Sequence, residues 1–188
     1  MNHFHTLYTP QDCAVVFIDH QPQMTFGVAN IDRAMLINNV VLLAKVAREF
    51  GVPAILTGVE TEAFSGYLWP QLLDVFSGQA VIERSSMNAW DDAGFRQAIE
   101  VTGKKNILLT GLWTEVCVTW PTLSMLAEGY HIYVVEDCCG ATSTAAQERA
   151  PRRLLRPCRP DRLRSVWVVQ AGQPAVPADR PVPNTRAH

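Results

Sequence analysis

The chain has 188 residues, which suits one domain with a substantial core and leaves little room for a second. It is 48% hydrophobic and 18% charged with a net charge of −2, as expected of a globular protein without a basic surface for nucleic acid. We see no apolar run near the roughly 18 residues of a membrane span, no secretion signal, and five cysteines without a CxxC zinc pattern, so we predict a cytoplasmic protein with no nucleic-acid or membrane partner.

Short apolar runs alternate with amphipathic segments over residues 1–150. The runs are typical of parallel strands covered on both faces, and they lie at 14–18, 53–56, 80–82, 106–109 and 131–135. Helical patterns lie between them, at 31–50 with Asn30 as N-cap, at 91–101, at 115–128, and from Thr144 with Ser143 as N-cap. This order predicts a three-layer α/β/α Rossmann-like sandwich with a mainly parallel sheet of five to six strands.

The composition changes after residue 150. Residues 151–188 contain 8 of the 13 arginines and 7 of the 12 prolines, a proline density that prevents a long helix. We therefore divide the chain into a domain at 1–150 and an atypical Pro/Arg-rich tail at 151–188. The tail is either the product of a shifted reading frame or a natural extension. We expect the helix from Thr144 to end near Ala150, with one strand at 165–169 in an otherwise irregular tail.

Three residues with catalytic potential come near the carboxyl ends of the predicted strands, where open parallel sheets bind their ligands. Asp19 follows the first strand, Arg84 follows the third, and Cys117 follows the fourth near the start of a helix. A helix N-terminus lowers the pKa of a thiol, a carboxylate can take its proton, and a cation can orient that carboxylate. Each residue alone also has an ordinary structural explanation.

Three segments resemble one known family, the isochorismatase-like cysteine hydrolases, and in particular its YcaC-type branch. They are VVFIDHQPQM, IERSSMNAWDD and LLTGLWTEVCVTWPTLSMLAEGYHIYVVEDCCGATS, and the likeness extends over about residues 10–150. The resemblance implies a Rossmann-like domain with a triad of Asp, a basic residue and Cys, which here are Asp19, Arg84 and Cys117. It also implies a non-proline cis peptide at Trp113–Thr114, placed to aim backbone N–H groups at an oxyanion.

The chain departs from the family in its basic residue and in its tail. The family most often has lysine where Arg84 stands, and arginine can act only electrostatically because it keeps its proton. Some members bind zinc through an Asp-x-His group, but here Asp19 and His20 are adjacent, so we predict no metal and no other cofactor. The tail does not match the helix and strand with which the family continues.

The leading functional hypothesis is hydrolysis of a C–N bond in a small amide through a thioester on Cys117. We expect aromatic and polar side chains to line the substrate pocket, namely Phe26, Asn88, Trp90 and Trp113. The resemblance also implies a homo-oligomer. One alternative is a catalytically impaired or non-catalytic homo-oligomeric protein that keeps the fold. Another is a thiol redox protein that uses the vicinal pair Cys138–Cys139.

Overall fold

The computed structural model describes residues 9–154, 166–169 and 176–177. The prediction of an irregular tail concerns mainly 155–165, 170–175 and 178–188, which lie outside the described residues. The description below therefore concerns the α/β core and two short strands beyond it.

The described residues form one sheet of seven strands. They are β1 Cys13–Ile18, β2 Ala54–Val59, β3 Val81–Arg84, β4 Asn106–Gly111, β5 His131–Val135, β6 Val166–Val169 and β7 Val176–Pro177. The strand order is β3-β2-β1-β4-β5-β6-β7, in which neighbouring strands run parallel except for the antiparallel pair β6 and β7. The predicted fold class, a mainly parallel α/β sheet, is confirmed.

Six α-helices are present in the described part of the chain. They are α1 Pro22–Phe26, α2 Arg33–Glu49, α3 Pro70–Val75, α4 Ala93–Thr102, α5 Thr119–Ala127 and α6 Thr144–Leu154. None of them is long and apolar enough to cross a membrane.

The helix boundaries correct the sequence predictions in several places. The N-cap of α2 is Asp32, whose side chain accepts from the Met35 N–H, whereas Asn30 accepts from the Ala141 N–H across the sheet end. Before α5, Thr114–Val118 forms a separate π-helical turn. The prediction that α6 ends near Ala150 is wrong, because this helix continues to Leu154. A proline in the last turn removes one backbone hydrogen bond, and the helix continues for less than one further turn.

The strand order creates the place where a ligand site is expected. Successive strands lead outward from β1 to β3, and the chain then crosses back to add β4 on the other side of β1. Right-handed crossovers put α2 and α3, which pack together, on one face and α4, α5 and α6 on the other. All six residues of β1 are buried between these layers. The carboxyl ends of β1 and β4 flank the topological switch point, where open α/β sheets form a crevice.

Candidate active site

Three sheet elements bring Asp19, Arg84 and Cys117 together at the switch point. Asp19 directly follows β1, Arg84 is the last residue of β3, and Cys117 belongs to the turn Thr114–Val118 after β4. Their exposed fractions are 0%, 4% and 0% respectively. The site in this conformation is therefore closed to solvent at all three side chains.

Arg84 reaches Asp19 by crossing β2, the strand that separates β3 from β1. Its Nε donates to Thr57 Oγ1 on β2 at 3.2 Å, and Thr57 Oγ1 in turn donates to the carbonyl of Ile82 at 2.8 Å. Its Nη1 donates to the Ser86 carbonyl, and its Nη2 forms a buried ion pair with Asp19 Oδ1. Each of the three guanidinium nitrogens is thus held by a fixed partner, which gives the cation one orientation.

The Asp19 carboxylate combines a strong partner with an unused acceptor. Its backbone is left-handed, with φ of 56°, and its N–H donates to the Thr57 carbonyl at 3.0 Å. Oδ1 is paired with Arg84, whereas Oδ2 is buried and accepts from no N–H or O–H donor in the described part of the chain. Burial raises the pKa of this carboxyl above its usual value, and the charge of Arg84 together with hydrogen bonds from Cys117 and Arg84 opposes that rise in part.

The Cys117 thiol is neutral in this environment, which corrects the expectation that its position before a helix would favour a thiolate. Burial raises the pKa of this thiol far above the ordinary value, and the negative charge of Asp19 raises it further. The Arg84 charge and a hydrogen bond from the Trp113 backbone N–H act in the opposite direction and are weaker. Desolvation outweighs the helix terminus because Cys117 lies wholly inside the protein.

The backbone before Cys117 differs from the predicted arrangement. The non-proline cis peptide joins Leu112 to Trp113, one residue earlier than the predicted Trp113–Thr114 bond. The Thr114 N–H donates to the Gly140 carbonyl at 3.0 Å, because Leu112 and Gly140 extend the pairing between the ends of β4 and the segment after β5. Thr114 therefore has no free backbone donor for an oxyanion, whereas the Trp113 N–H points to the Cys117 sulfur.

A cavity of about 160 Å³ is lined by Trp113 and by Ser85, which follows Arg84, although Asp19, Arg84 and Cys117 do not line it themselves. Its apolar lining residues are Met24, Val59, Phe64, Met87 and Trp113, and its polar ones are Glu60, Ser65 and Ser85. The indole Nε1 of Trp113 donates to the Met24 carbonyl at 2.8 Å, which fixes the ring against α1. Of the residues expected to line a substrate pocket, Trp113 lines this cavity.

The other three predicted pocket residues do not line this cavity. Trp90 is buried between the ring of Phe95 and the ring of Tyr130, and its Nε1 donates to Glu128 at 2.7 Å. Asn88 caps the short 3-10 helix after β3 by accepting from the Trp90 N–H. Phe26 is 69% exposed at the end of α1. Trp90 and Asn88 thus have structural roles, since their polar atoms are already paired.

Two residues directly after Asp19 hold the site together, although the sequence analysis assigned them no role. Gln21 is fully buried and connects both ends of the loop after β2, since its amide donates to the carbonyls of Val59 and Gly66 and accepts from the Val59 N–H. His20 is also buried, and its Nε2 is 3.4 Å from the Cys138 carbonyl. The signal that could have predicted these roles is the position of His20 and Gln21, two adjacent polar residues at the end of an apolar strand.

The vicinal cysteines give no support to the redox alternative. Cys138 and Cys139 are both free thiols, and both are fully buried. Burial raises the pKa of Cys139 to about 12 and that of Cys138 further, so neither forms a reactive thiolate at neutral pH. Among the described residues, no group of three or more His, Cys, Asp or Glu side chains is arranged to hold a metal ion.

Comparison with known proteins identifies the family. The model of the isochorismatase domain matches residues 13–160. The probable hydrolase YcaC of Escherichia coli is 37% identical over 144 residues, which are 76% of this chain and 69% of that protein. The solved YcaC structure from Pseudomonas aeruginosa has a TM-score of 0.78 at 36% identity and covers 81% of this chain and 76% of its own.

A second solved structure, the YcaC protein of E. coli, is described as an octameric hydrolase of unknown specificity. It has a TM-score of 0.77 at 34% identity, covering 80% of this chain and 74% of its own. The sequence and structural matches agree with each other. The chain belongs to the isochorismatase family and is a hydrolase of the isochorismatase-like type.

Proposed function

We propose that the protein is a cysteine hydrolase that cleaves a C–N bond of a small amide through a thioester on Cys117. The observation that supports this most directly is the buried Asp19–Arg84 ion pair beside the Cys117 thiol. Burying a charge pair has a large desolvation cost, and its presence here is explained if the carboxylate takes a proton from the neighbouring thiol.

In the first step Asp19 takes the thiol proton on Oδ2, the oxygen that Arg84 leaves unused. The raised pKa of this carboxyl brings it closer to that of the thiol, which makes the transfer less unfavourable. The sulfur then attacks the substrate carbonyl carbon, a C–S bond forms, and the carbonyl electrons move to oxygen. Arg84 stays protonated throughout and stabilises the carboxylate form of Asp19.

The tetrahedral intermediate collapses when the C–N bond breaks. Asp19 returns the proton to the departing nitrogen, so the amine leaves in a neutral form and Cys117 retains the acyl group. A water molecule then gives its proton to Asp19 and attacks the thioester, which releases the acid and regenerates the thiol. The Trp113 N–H is the donor that we assign to the oxyanion, because it already faces the sulfur to which the carbonyl becomes attached.

A relative provides independent chemical support. The P. aeruginosa YcaC structure is described as containing covalent acrylamide. Acrylamide is an electrophile that reacts with thiolates, so a covalent adduct indicates a reactive nucleophile in that protein. We extend the same reactivity to Cys117 of this chain.

The test is intact-mass analysis during incubation with a series of small amides. We expect an acyl adduct on the wild-type enzyme together with released amine, and neither product in Cys117→Ala. Cys13→Ala is the matched control, because Cys13 is a buried cysteine at the opposite end of β1. Hydrolysis that persists in Cys117→Ala contradicts the mechanism. A folded protein that forms no adduct and releases no amine favours the non-catalytic alternative.

We also propose that the chain forms a homo-oligomer in the cytosol. The E. coli relative is an octamer, and three large side chains near the cavity, Phe26, Phe64 and Tyr67, are 65% to 69% exposed here. Association would remove such apolar surface from water. Four described cysteines are free thiols, as is usual in a reducing compartment. Light scattering should detect a particle larger than the 20.9 kDa chain, and a clean monomer would contradict the proposal.

A further inference from the structure

Among the described residues that line the cavity of about 160 Å³, Glu60 is the one with an ionisable side chain. The cavity adjoins all parts of the site, because Ser85 follows Arg84, Val59 pairs with Arg84 across β2 and β3, and the Trp113 N–H bonds to the Cys117 sulfur. A substrate that occupies the cavity therefore contacts Glu60 and lies one layer of residues away from Cys117, whose side chain is buried behind Trp113 and does not line the cavity.

The backbone of Glu60 is held in an unfavourable conformation. Its φ is 45°, in the left-handed region that residues with a β-carbon adopt at a cost. Its N–H donates to the Arg84 carbonyl at 3.0 Å, and its own carbonyl accepts from Phe64 and Ser65 at 2.9 and 2.8 Å. Glycine or asparagine would fit this conformation at lower cost, so a glutamate at this position points to a use for its side chain.

The carboxylate of Glu60 is available to a ligand. Among the described residues it makes no hydrogen bond and no ion pair, since all its hydrogen bonds involve the backbone. The larger neighbouring recess, of about 430 Å³, shares Glu60 and adds Glu62 and Glu83. The Glu83 carboxylate accepts hydrogen bonds from the N–H and the hydroxyl of Thr61. The larger recess is thus lined by three acidic residues.

No positive charge from the described residues balances these carboxylates at the cavity. Neither recess is lined by a lysine or arginine of the described chain. Arg84 is close, but its nitrogens are bound to Thr57, Ser86 and Asp19. A carboxylate on a substrate would therefore meet Glu60 without a cation to neutralise it, whereas an ammonium group would gain an ion pair.

We propose that Glu60 is a specificity-determining residue of this site, and that it selects short amides with a positively charged end over those with a negatively charged end. The proposal rests on the proposed hydrolysis at Cys117 and names its substrate class. The cavity of about 160 Å³ is small, which limits the acyl group to a short chain. The preferred acyl group is therefore a short chain that ends in an amine.

Three amides of equal chain length test the selection by charge. They are 4-aminobutanamide, pentanamide and glutaramate, whose far ends are an ammonium, a methyl and a carboxylate group, and ammonia release measures kcat/KM for each. We expect the cationic amide to be the best substrate and the anionic one the worst. Glu60→Gln keeps the shape of the side chain and should lower the ratio of cationic to anionic kcat/KM by about fivefold or more.

Glu62→Gln is the matched control. It removes the same charge two residues away, from the larger recess and not from the cavity of about 160 Å³. We expect it to leave the ratio close to that of the wild-type enzyme. An equal fall of the ratio in both variants would show a general electrostatic effect and overturn the assignment to Glu60. An unchanged ratio in Glu60→Gln would also overturn it, while hydrolysis itself would still support the proposed function.

A second measurement is independent of hydrolysis. The 2-aminoethyl and 2-sulfonatoethyl methanethiosulfonates both form a disulfide with a thiol, and peptide mass analysis reports the rate at Cys117, with Cys117→Ser as background. We expect the cationic reagent to react faster relative to its rate with mercaptoethanol, and Glu60→Gln to remove that advantage. Charge selection here without any amide hydrolysis would uphold the inference and refute the proposed function. Equal relative rates in the wild-type protein would refute the inference.

Discussion

His20 makes the stability of the fold depend on pH in a direction that its surroundings determine. Its ring is fully buried against Phe17 and Trp69, with centroid distances of 5.9 and 5.0 Å. Its Nδ1 is buried without a hydrogen-bond partner among the described residues, and Nε2 faces the Cys138 carbonyl. Burial lowers the pKa of His20 to about 4 from the usual 6.5, so the native state holds the ring neutral.

The magnitude follows from this pKa difference. Between pH 6.5 and pH 4 the unfolded chain binds a proton at His20 that the folded chain does not, so acidification favours unfolding. Each pKa unit corresponds to about 1.4 kcal/mol, which gives a loss of about 3 kcal/mol by pH 4. Above pH 6.5 the contribution is complete and constant. Asp19 has the opposite effect, because its raised pKa in the native state favours proton uptake by the folded chain as pH falls.

Urea unfolding of the wild-type protein and His20→Gln at several values between pH 4 and pH 8 isolates the contribution of His20. The substitution changes packing equally at every pH, so the packing part of the change in unfolding free energy is measured at pH 7 to 8. The contributions of Asp19 and other groups cancel when the free energies of the two proteins are subtracted. We expect the difference in the free energy of unfolding to change by about 3 kcal/mol between pH 7 and pH 4 in favour of the variant. Parallel curves for the two proteins would refute the reasoning and indicate that His20 titrates normally.

Three further substitutions have outcomes that the structure specifies. Asp19→Asn should lower kcat by about 10²-fold or more, because an amide cannot take the thiol proton, and steady-state kinetics that retain most of the activity would exclude Asp19 as the base. Arg84→Met should lose most activity and destabilise the fold by about 3 to 5 kcal/mol in urea unfolding, since it leaves Asp19 buried and unpaired. Arg84→Lys should keep part of the activity and part of the stability. Equal stability of the wild-type protein and both variants would refute the importance of the ion pair. Glu60→Gly should raise the free energy of unfolding by about 1 kcal/mol, and a decrease would show that the left-handed φ is not strained.

The sequence predicted the strands well where apolar residues are continuous and less well where a strand becomes polar. The predicted run 53–56 ends three residues before the end of β2, because this strand continues through Thr57 and Gly58 to Val59. Thr57 is buried and serves as the hydrogen-bond partner of Arg84. A β-carbon on Gly58 would lie 3.1 Å from Thr61 Oγ1 and 3.2 Å from the Gln21 amide. A hydrophobic pattern cannot identify polar residues or glycines, such as Thr57 and Gly58, as part of a buried strand.

The proximity of the three candidate site residues could be predicted because it depends on topology, whereas the side chains that hold them in place could not. The ends of parallel strands meet at one edge of the sheet, so residues such as Asp19 and Arg84 are close whatever the details of packing. The Arg84 side chain crosses β2, the strand between them, where its Nε donates to Thr57 Oγ1. The four hydrogen bonds of Gln21 likewise join loop ends 38 to 45 residues away in the chain. Such contacts depend on side-chain geometry, which periodicity does not encode.

The protonation state of Cys117 shows how the tertiary structure reverses an inference from local sequence. A position near the start of a helix favours a thiolate when the thiol is partly exposed. Here the thiol is fully buried next to Asp19, and both effects raise its pKa. An intrinsically acidic thiol would need no base, but a thiol of raised pKa reacts only if a neighbouring group takes its proton at the moment of attack. The burial that contradicts the helix-terminus expectation therefore makes Asp19 necessary to the proposed mechanism, and it accounts for a carboxylate that keeps one oxygen unpaired.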